Sequence, residues 1–290
     1  MKRNINLLIM GGDQRYVEVI HQLSSQGIQI FLEGFEQLSF SHPHIHNGGY
    51  TETDVGKLDA ILLPLNGTDS EGHIEALYSN QPVRISSDIL QKTPEHCVVY
   101  TGISGDFLDS AAKQAGRKLV RLMDRDDIAI MNSIPTAEAA LGAAINETDF
   151  TVHSSNVLIL GFGRVGMTLS RLFDAVGAHV TVGARKDSDF ALIMEMGLRP
   201  IHLDNLSEYI SECNICINSV PYLLLDSFVL SKADRSLIII DIASRPGGTD
   251  FEFARKQGIK AVHALGLPGQ TAPKTAGEVI SGVLLKLLGE

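Results

Sequence analysis

The strongest chemical signal in the sequence is a G-x-G-x-x-G pattern that follows an apolar segment and precedes an amphipathic one. In such a turn the first glycine permits the tight bend, the second lets the backbone approach a pyrophosphate, and the third lets the helix pack closely on the strand. The amides that begin the helix then face the phosphates. The sequence therefore predicts a dinucleotide-binding turn rather than a glycine-rich turn without function. Its residues are Gly161, Phe162, Gly163, Arg164, Val165 and Gly166.

The residues at the end of the strand after this glycine turn distinguish proteins that bind NAD from those that bind NADP. A carboxylate that binds the ribose 2′-hydroxyl of NAD usually stands there, about twenty residues after the glycines. Here Gly183 is followed by Ala184, Arg185 and Lys186, with no carboxylate before Asp187. Because a guanidinium forms charge-assisted bonds to a phosphate, the sequence predicts NADP as the cofactor. The alternative is that both cations simply face solvent, in which case the two dinucleotides would bind with similar affinity.

Two further strands end in polar segments. The carboxyl ends of parallel strands lie at one edge of a sheet, where ligands bind, so the residues that follow these strands are candidates for cofactor contact. Each could instead be no more than a polar turn. The candidates are Asn218, Ser219, Val220, Pro221, Asp241 and Ala243.

Short apolar runs alternate with amphipathic stretches along the chain, which predicts parallel sheets covered by helices. The first series predicts strands at 6–10, 28–32, 60–64 and 98–100 and helices at 15–24 and 106–123. A strand at 128–132 and an alanine-rich helix that begins at Ser133 come next. The second series predicts strands at 157–160, 180–183, 215–218, 237–241 and 261–263, with a helix at 166–176.

This order of elements predicts an α/β protein with two doubly wound parallel-sheet domains. Residues 1–132 form a flavodoxin-like domain for substrate or partner, residues 133–272 form a Rossmann domain that binds NADP, and a helix at 273–290 packs back on the first domain. The two halves begin with similar sequences, an apolar strand followed by glycines, at 6–12 and at 156–163. In the first half, however, Tyr16 stands at the position of the third glycine of the G-x-G-x-x-G pattern. Because so large a side chain should prevent close packing of helix on strand, only the second domain is predicted to bind a dinucleotide.

The composition is that of an ordinary globular protein, with 290 residues of which 44% are hydrophobic and 20% charged. The formal charge of −10 argues against nucleic acid and anionic membranes as partners. Three cysteines do not make a disulfide framework, and the sequence opens without a long apolar segment, so we expect a reducing, cytoplasmic location.

Two other groups of residues have a spacing that could support metal binding or thiol chemistry. His42, His44 and His46 could share one face of a strand and bind a metal, but the segment is loop-like and has no cysteine or carboxylate beside it, so no metal site is predicted. Cys213 and Cys216 have C-x-x-C spacing, but the second enters an apolar strand, which favours buried, inert thiols.

Beyond the glycine motif, blocks along nearly the whole chain resemble the family of dipicolinate synthase A subunits. They lie at 11–13, 63–64, 70–72, 94–98, 102–104, 125–130, 132–136, 182–185, 195–198, 243–251, 266–269 and 272–277. The resemblance implies an NADP-linked oxidation of a dihydrodipicolinate-type ring to pyridine-2,6-dicarboxylate for spore formation, in the cytoplasm of the mother cell. It also implies a flavoprotein-like B subunit of dipicolinate synthase as partner. More broadly, the layout is similar to hydroxyacid and alanine dehydrogenases, in which two domains enclose a cleft.

A ring dicarboxylate would need fixed cations around it. We expect Arg245 first, Lys274 second and Arg15 third as carboxylate contacts, although each could pair with a surface acid instead. Loss of a ring proton accompanies the oxidation, and the candidates for proton handling or substrate orientation follow predicted strands. They are Asp13, Ser104, Ser133 and Ser244, of which Asp13 and Ser133 could simply be helix caps.

Two alternative functions stay open from the sequence alone. The chain could be an NADP-binding scaffold or sensor whose partner performs the chemistry. It could also be a hydroxyacid or amino-acid dehydrogenase, which would need a histidine with an acidic partner, or a lysine, in the cleft; His202 and His263 have no obvious partner in the sequence. In each case we expect self-association into a homo-oligomer.

Overall fold

A six-stranded, wholly parallel sheet forms the centre of each of two units in the computed structural model, which describes residues 5–289. Unit 1 comprises the chain up to Met131 and again from Ala272, and unit 2 runs from Asn132 to Thr271. Residues 1–4 and Glu290, which belong to the predicted domain ranges, lie outside the described residues.

Unit 1 has its main strands in the order β3-β2-β1-β4-β7-β8, and β5 and β6 form a small antiparallel pair. The five longer strands of the main sheet follow the flavodoxin-like order 2-1-3-4-5, and the two-residue β3 is added at the edge. The strands are β1 Asn6–Met10, β2 Gln29–Glu33, β3 Ile45–His46, β4 Ala60–Leu62, β5 His73–Ile74, β6 Val83–Arg84, β7 Val98–Thr101 and β8 Lys118–Arg121. The helices are α1 Gln14–Ser25, α2 Glu52–Val55, α3 Ser87–Lys92, α4 Asp106–Ala115, the first turns of α5 Asp126–Glu147, and α12 Pro273–Gly289.

Unit 2 has its strands in the order β11-β10-β9-β12-β13-β14, the Rossmann order 3-2-1-4-5-6. The strands are β9 Asn156–Leu160, β10 His179–Ala184, β11 Arg199–His202, β12 Ile215–Asn218, β13 Ile238–Asp241 and β14 Lys260–His263. The helices are the rest of α5, α6 Arg164–Ala175, α7 Asp187–Glu195, α8 Leu206–Tyr209, α9 Ser227–Leu230, α10 Phe251–Gln257 and α11 Leu267–Thr271. The predicted fold class is confirmed.

The central strands are almost entirely apolar between their end residues because helices cover both faces of each sheet. In β1, Leu7 and Ile9 pack with α1 and α12, whereas Leu8 and Met10 pack with α3 and α4. In unit 2, Val157 and Ile159 face α5 and α6, and the alternate residues of β9 face the side of α8 and α10. This packing holds the carboxyl ends of the strands, where the candidate site residues stand, at a fixed edge of the sheet.

The predicted helix at 106–123 is wrong in its second half. Helix α4 ends at Ala115 because Gly116 adopts a left-handed conformation with φ +66°, and its N–H bonds back to carbonyls of the last turn. The chain then turns into β8, which pairs with β7. Leu119 continues the helical spacing of the apolar residues of α4, but it lies in β8 and packs against the core beneath α3 and α4.

The predicted strand at 128–132 and the helix start at Ser133 are also wrong. Both segments belong to the 22-residue helix α5, which continues through Pro135. Proline lacks an N–H and is therefore typical of a first helical turn, but Pro135 lies well inside α5. Next to it, the Thr136 hydroxyl donates to the carbonyl of Asn132 at 2.7 Å. Ile128 is buried in the core of unit 1, and the alanines at 137, 140 and 144 are buried in the core of unit 2.

Helix α5 has the length and composition of a membrane-spanning helix, the one such helix among residues 5–289, and 44% of its most apolar stretch is buried within the protein. A core helix meets the same criterion, so this finding is weak evidence for a membrane. The packing of its alanine face against the unit 2 sheet accounts for its apolar composition.

Helices α1 and α12 pack so closely that one position of α12 must be glycine. A Cβ added at Gly277 would lie 2.5 Å from the carbonyl oxygen of Arg15 and 2.7 Å from Cβ of Glu18, whereas one added at Gly282 of the same helix would meet nothing within 4 Å. We expect Gly277→Ala to lower the free energy of unfolding by about 1–3 kcal/mol through overpacking. We expect Gly282→Ala, the matched control, to raise it by about 0.5–1 kcal/mol because alanine is the better helix former. Urea unfolding would measure both, and equal effects of the two substitutions would contradict the close packing.

Candidate functional site

The glycine turn between β9 and α6 has three different steric environments. Gly161 has φ +94°, and a Cβ there would lie 2.7 Å from Cγ2 of Val220. A Cβ at Gly166 would overlap the carbonyl oxygen of Gly161, whereas one at Gly163 would meet nothing within 4 Å. Gly161 and Gly166 are therefore required for the fold of the turn, and Gly163 leaves open space beside the backbone. These environments fit the roles that the motif predicts.

The start of α6 is open to an anion. Gly163 is its N-cap and offers no side-chain hydrogen bond, and no acidic residue stands in the first turn. The first amides of a helix have no partner within the helix, and the helix dipole makes this end partly positive. The N-terminus of α6 therefore has the electrostatic character of a phosphate site.

A pocket of about 500 Å³ in unit 2 joins this turn to two other strand ends. Most of the predicted cofactor contacts line it, namely Gly161, Phe162, Gly163, Arg164, Val165, Gly166, Ala184, Arg185, Lys186, Ser219, Val220 and Pro221. Asp189 and Leu203 also line it, although neither is predicted from the sequence. Asp189 lies within one turn of Lys186, so its place could be predicted; Leu203 follows a strand that is absent from the predicted series.

Two cations lie at the end of β10, where a carboxylate stands in proteins that prefer NAD. Arg185 and Lys186 are exposed, and within residues 5–289 neither forms an ion pair with an acidic side chain. The guanidinium of Arg185 lies over the ring of Tyr222 at 5.7 Å from its centroid. The rim of the pocket therefore presents positive charge that no carboxylate of this part of the chain neutralises.

Asn218 and Asp241 are fully buried beneath the loops rather than exposed in the pocket. The Asp241 carboxylate accepts hydrogen bonds from Nδ2 of Asn218 at 3.0 Å, the amide of Ala243 at 3.1 Å, the amide of Gly248 at 2.8 Å and the hydroxyl of Thr249 at 2.7 Å. Asn218 in turn donates to the carbonyl of Val220 and accepts from its amide. These two side chains hold the loops after β12 and β13, so their predicted role at the cofactor is at most one of positioning.

The loop after β13 carries Ser244 and Arg245 on the surface of unit 2. Gly247 has φ +88°, and Gly248 has no space for a side chain because the Val220 and Tyr222 carbonyls lie against it. Within the described part of the chain, the side chain of Arg245 makes no hydrogen bond or ion pair. The loop is therefore fixed from below and presents an arginine outward.

In unit 1, Asp13 and Arg15 neutralise each other. Nε of Arg15 lies 2.9 Å and 3.0 Å from the two Asp13 oxygens, and Nη2 lies 2.6 Å from Oδ2. Burial lowers the pKa of Arg15, but the hydrogen bonds and the charge of Asp13 more than offset this, so its pKa is raised. Asp13 also caps α1 by accepting from the amide of Arg15. Both candidates are thus engaged with each other.

The remaining candidates are in different surroundings. Ser104 donates to Asp109 at 2.6 Å and accepts from Arg121, and its hydrogen bond lowers the pKa of Asp109. Ser133 is buried inside α5 with its hydroxyl 2.6 Å from that of Thr168, so it is not a helix cap. Lys274 lies exposed in the first turn of α12.

The cysteines and the histidine triplet show no sign of a further site. All three cysteines are free and buried, and burial raises the pKa of Cys213 to about 12 and that of Cys97 to about 11. His44 and His46 both contact Gln29, at 2.6 Å and 3.2 Å. Among residues 5–289, no group of three or more histidine, cysteine or acidic side chains is arranged to hold a metal ion.

The fold and the glycine pocket place the chain in a class of two-domain α/β proteins with a Rossmann-type nucleotide-binding unit. The apo structure of D-lactate dehydrogenase from Escherichia coli has this fold, with a TM-score of 0.61 at 16% identity over 99% of this chain and 98% of that one. A likeness at such low identity shows the fold alone, and the predicted similarity to hydroxyacid dehydrogenases is confirmed at that level.

The particular family follows from sequence as well as structure. The chain is 47% identical over 290 residues to the dipicolinate synthase A subunit of Bacillus subtilis (strain 168), an alignment that covers 100% of this chain and 98% of the relative. The crystal structure of the dipicolinate synthase A subunit from Bacillus halodurans superimposes with a TM-score of 0.94 at 46% identity, over 99% and 98% of the two chains. Residues 6–123 match the family model of the N-terminal domain of dipicolinate synthase A subunits. The chain belongs to this family, which confirms the resemblance drawn from the sequence.

The Asp241 network gives a prediction about stability. Asp241→Ala would leave the amides of Ala243 and Gly248 and Nδ2 of Asn218 without their acceptor. Each unsatisfied buried donor costs about 1–3 kcal/mol, so we expect a loss of about 3 kcal/mol or more in the free energy of unfolding. Asp204→Asn, whose side chain is 82% exposed, is the control and should change stability by less than about 0.5 kcal/mol. Equal unfolding midpoints for the two variants in urea would contradict a structural role for Asp241.

Proposed function

We propose that this chain is the NADP-binding subunit of a dipicolinate synthase and oxidises a dihydrodipicolinate-type ring to pyridine-2,6-dicarboxylate for spore formation. The observation that carries the proposal is the pocket of unit 2, in which an open glycine turn and two cations at the end of β10 lie together. Family membership supplies the substrate class, since the relatives are named for dipicolinate synthesis.

The pocket fits a phosphorylated nicotinamide nucleotide. The uncapped start of α6 and the backbone at Gly163 suit a pyrophosphate, and Arg185 and Lys186 suit a 2′-phosphate. Asp189 is the one acidic side chain in the lining, and it lies in the first turn of α7, beyond the two cations. When bound, the nucleotide supplies an acceptor for two electrons and one proton from the ring.

The proposed substrate carries two carboxylates, so the candidates to bind it are cationic side chains that have no acidic partner among the described residues. Arg245 and Lys274 are exposed, and no acidic side chain of the described part pairs with either. Arg15 already forms a bidentate pair with Asp13. We therefore place Arg245 and Lys274 ahead of Arg15 as carboxylate contacts, with the loop of Arg245 held by Asp241.

Conversion of a dihydropyridine ring to the aromatic pyridine also releases one proton to solvent or to a base. Of the four candidates for this role, Ser244 is the one whose side chain is exposed and without a hydrogen bond in the described structure. The hydroxyl of Ser104 and the carboxylate of Asp13 are engaged with charged partners, and Ser133 is buried. Ser244 would orient the substrate rather than act as a base, because a serine without a basic neighbour does not ionise near neutral pH.

The relatives are named as A subunits, which points to at least one further subunit in their enzymes. We propose that this chain likewise acts with a second subunit, which the sequence resemblance suggests is flavoprotein-like. The nucleotide pocket of unit 2 supports our proposal that the hydride acceptor binds to the present chain, whichever of the two subunits completes the substrate site.

The cofactor prediction is tested by the dissociation constants of NADPH and NADH, measured by calorimetry on the purified chain. We expect wild type to prefer NADPH, and Arg185→Ala to weaken NADPH about tenfold or more while leaving NADH unchanged, because hydrogen bonds to a charged group contribute about 1.5–3 kcal/mol. Arg199→Ala is the matched control, since this arginine also lies over a tyrosine ring but at the start of β11, the opposite end of the sheet. Equal affinity of wild type for both nucleotides would contradict the assignment of NADP.

The substrate prediction is tested by absorbance of the reduced nucleotide after mixing the chain, NADP and freshly generated dihydrodipicolinate, with and without the second subunit. We expect Arg245→Ala to raise KM about tenfold or more, since it removes a charge-assisted contact to a carboxylate. Arg235→Ala is the control, because Arg235 is exposed and precedes β13 whereas Arg245 follows it. Unchanged turnover and KM in Arg245→Ala would rule out its role.

The same assay distinguishes the alternative functions. Nucleotide reduction by the chain alone would place the oxidation in this subunit, and reduction that requires the partner would make it an obligate part of the enzyme. Tight NADP binding with no reduction in either case would favour a scaffold or sensor.

A further inference from the structure

Tyr222 is a pocket-edge residue that the proposed function leaves without a role. It follows Pro221, the last lining residue on that side, and the residue is 64% exposed. Its ring lies against the guanidinium of Arg185, which comes from the opposite side of the pocket, at 5.7 Å from centroid to Cζ. An exposed aromatic side chain contacts the cation that the cofactor assignment depends on.

The backbone of Tyr222 lies close to Gly248, although its ring is exposed. A Cβ at Gly248 would lie 2.6 Å from the Tyr222 carbonyl oxygen, and the amides of Leu224 and Leu225 both donate to the Gly248 carbonyl. Gly248 is in turn held by the carboxylate of Asp241. The ring is thus presented at the pocket edge by a loop tied to the buried network.

The chemistry of the contact favours a positioning role. A carboxylate that oriented Arg185 would occupy its N–H donors and cancel its charge, whereas an aromatic face attracts the flat side of the guanidinium and leaves the in-plane donors available. A phosphate needs those donors in the plane. Tyr222 can therefore restrict Arg185 without competing with an anion for it.

We propose that Tyr222 is a specificity-determining residue that positions Arg185 for the 2′-phosphate of the nucleotide and thereby strengthens the preference for the phosphorylated form. This inference rests on the proposed function, because it requires that Arg185 contacts that phosphate. Tyr222 itself contributes nothing to binding of the unphosphorylated nucleotide.

The test is a double-mutant cycle in which dissociation constants of NADPH and NADH are measured for Tyr222→Leu, Tyr222→Phe, Arg185→Ala and Tyr222→Leu/Arg185→Ala. Because the contact is solvent-exposed, we expect Tyr222→Leu to weaken NADPH about threefold, with NADH unchanged. Tyr222→Phe should retain wild-type affinity, and Tyr222→Leu should have no further effect once Arg185 is absent. Phe228→Leu is the matched control, since Phe228 is 62% exposed and lies under Lys232, outside the pocket lining.

Three results would overturn the inference and leave the cofactor assignment standing. They are equal weakening of NADPH and NADH by Tyr222→Leu, a threefold effect that persists in the Arg185→Ala background, and a Phe variant as weak as the Leu variant. A wild-type chain that binds neither nucleotide would overturn the cofactor assignment and this inference together. Melting temperatures of the variants within about 1 °C of wild type would show that the folded state is the same in each comparison.

Discussion

The buried carboxylate of Asp241 is the interaction on which the candidate site depends. A charge removed from water is tolerated only when its hydrogen-bonding capacity is satisfied, and here all four donors come from residues at or beyond strand ends. One donor belongs to the end of β12 and three to the loop after β13. A single group therefore fixes both loops relative to each other, which would otherwise be independent surface turns.

This constraint explains how polar residues near the end of one strand can have opposite roles. Asp241 points into the protein and holds the loop, while Ser244 and Arg245, a few residues further along the chain, are exposed. Gly247 and Gly248 permit the tight return of the backbone over the carboxylate. The rigid base lets an exposed arginine occupy a defined position without a partner to hold it.

The glycine turns before α1 and before α6 are similar in sequence, but they differ in how open the start of the helix is to an anion. In unit 1, Asp13 caps α1 with its own side chain, and the ring of Tyr16 lies against Gly12 where a Cβ could not fit. Tyr16 is fully buried, and its hydroxyl donates to the carbonyl of Leu63 at 2.8 Å. The Asp13 carboxylate already accepts a hydrogen bond from the Arg15 amide at the start of α1, so this amide is not available to an anion. In unit 2, glycine occupies the corresponding cap of α6, so its amides remain available.

The sequence predicts most strands of the two main sheets and the glycine turn because they depend on local patterns. These patterns are an apolar run for a strand and a fixed glycine spacing for the turn. It mispredicts 106–123 and 128–132, where apolar periodicity is ambiguous and only the conformation of Gly116 and the continuation of α5 through Pro135 decide the outcome. It cannot show that Asp241 faces inward or that Tyr222 lies under Arg185. Those placements depend on contacts between distant segments, which leave no periodic signal.

The net charge of the chain and the charge of the pocket act in opposite directions on the cofactor. The chain carries a formal charge of −10, which disfavours a ligand with several phosphates when only the whole molecule is considered. At physiological ionic strength, however, exposed charges are screened beyond about 8 Å, so the groups that line the pocket outweigh the distant acids. Arg185, Lys186 and the uncapped start of α6 belong to the pocket, and Asp189 is the one acidic side chain in its lining. An acidic protein can therefore favour the more highly charged of two nucleotides, provided that its local cations have no carboxylate partner; among the described residues Arg185 contacts an aromatic ring and forms no ion pair.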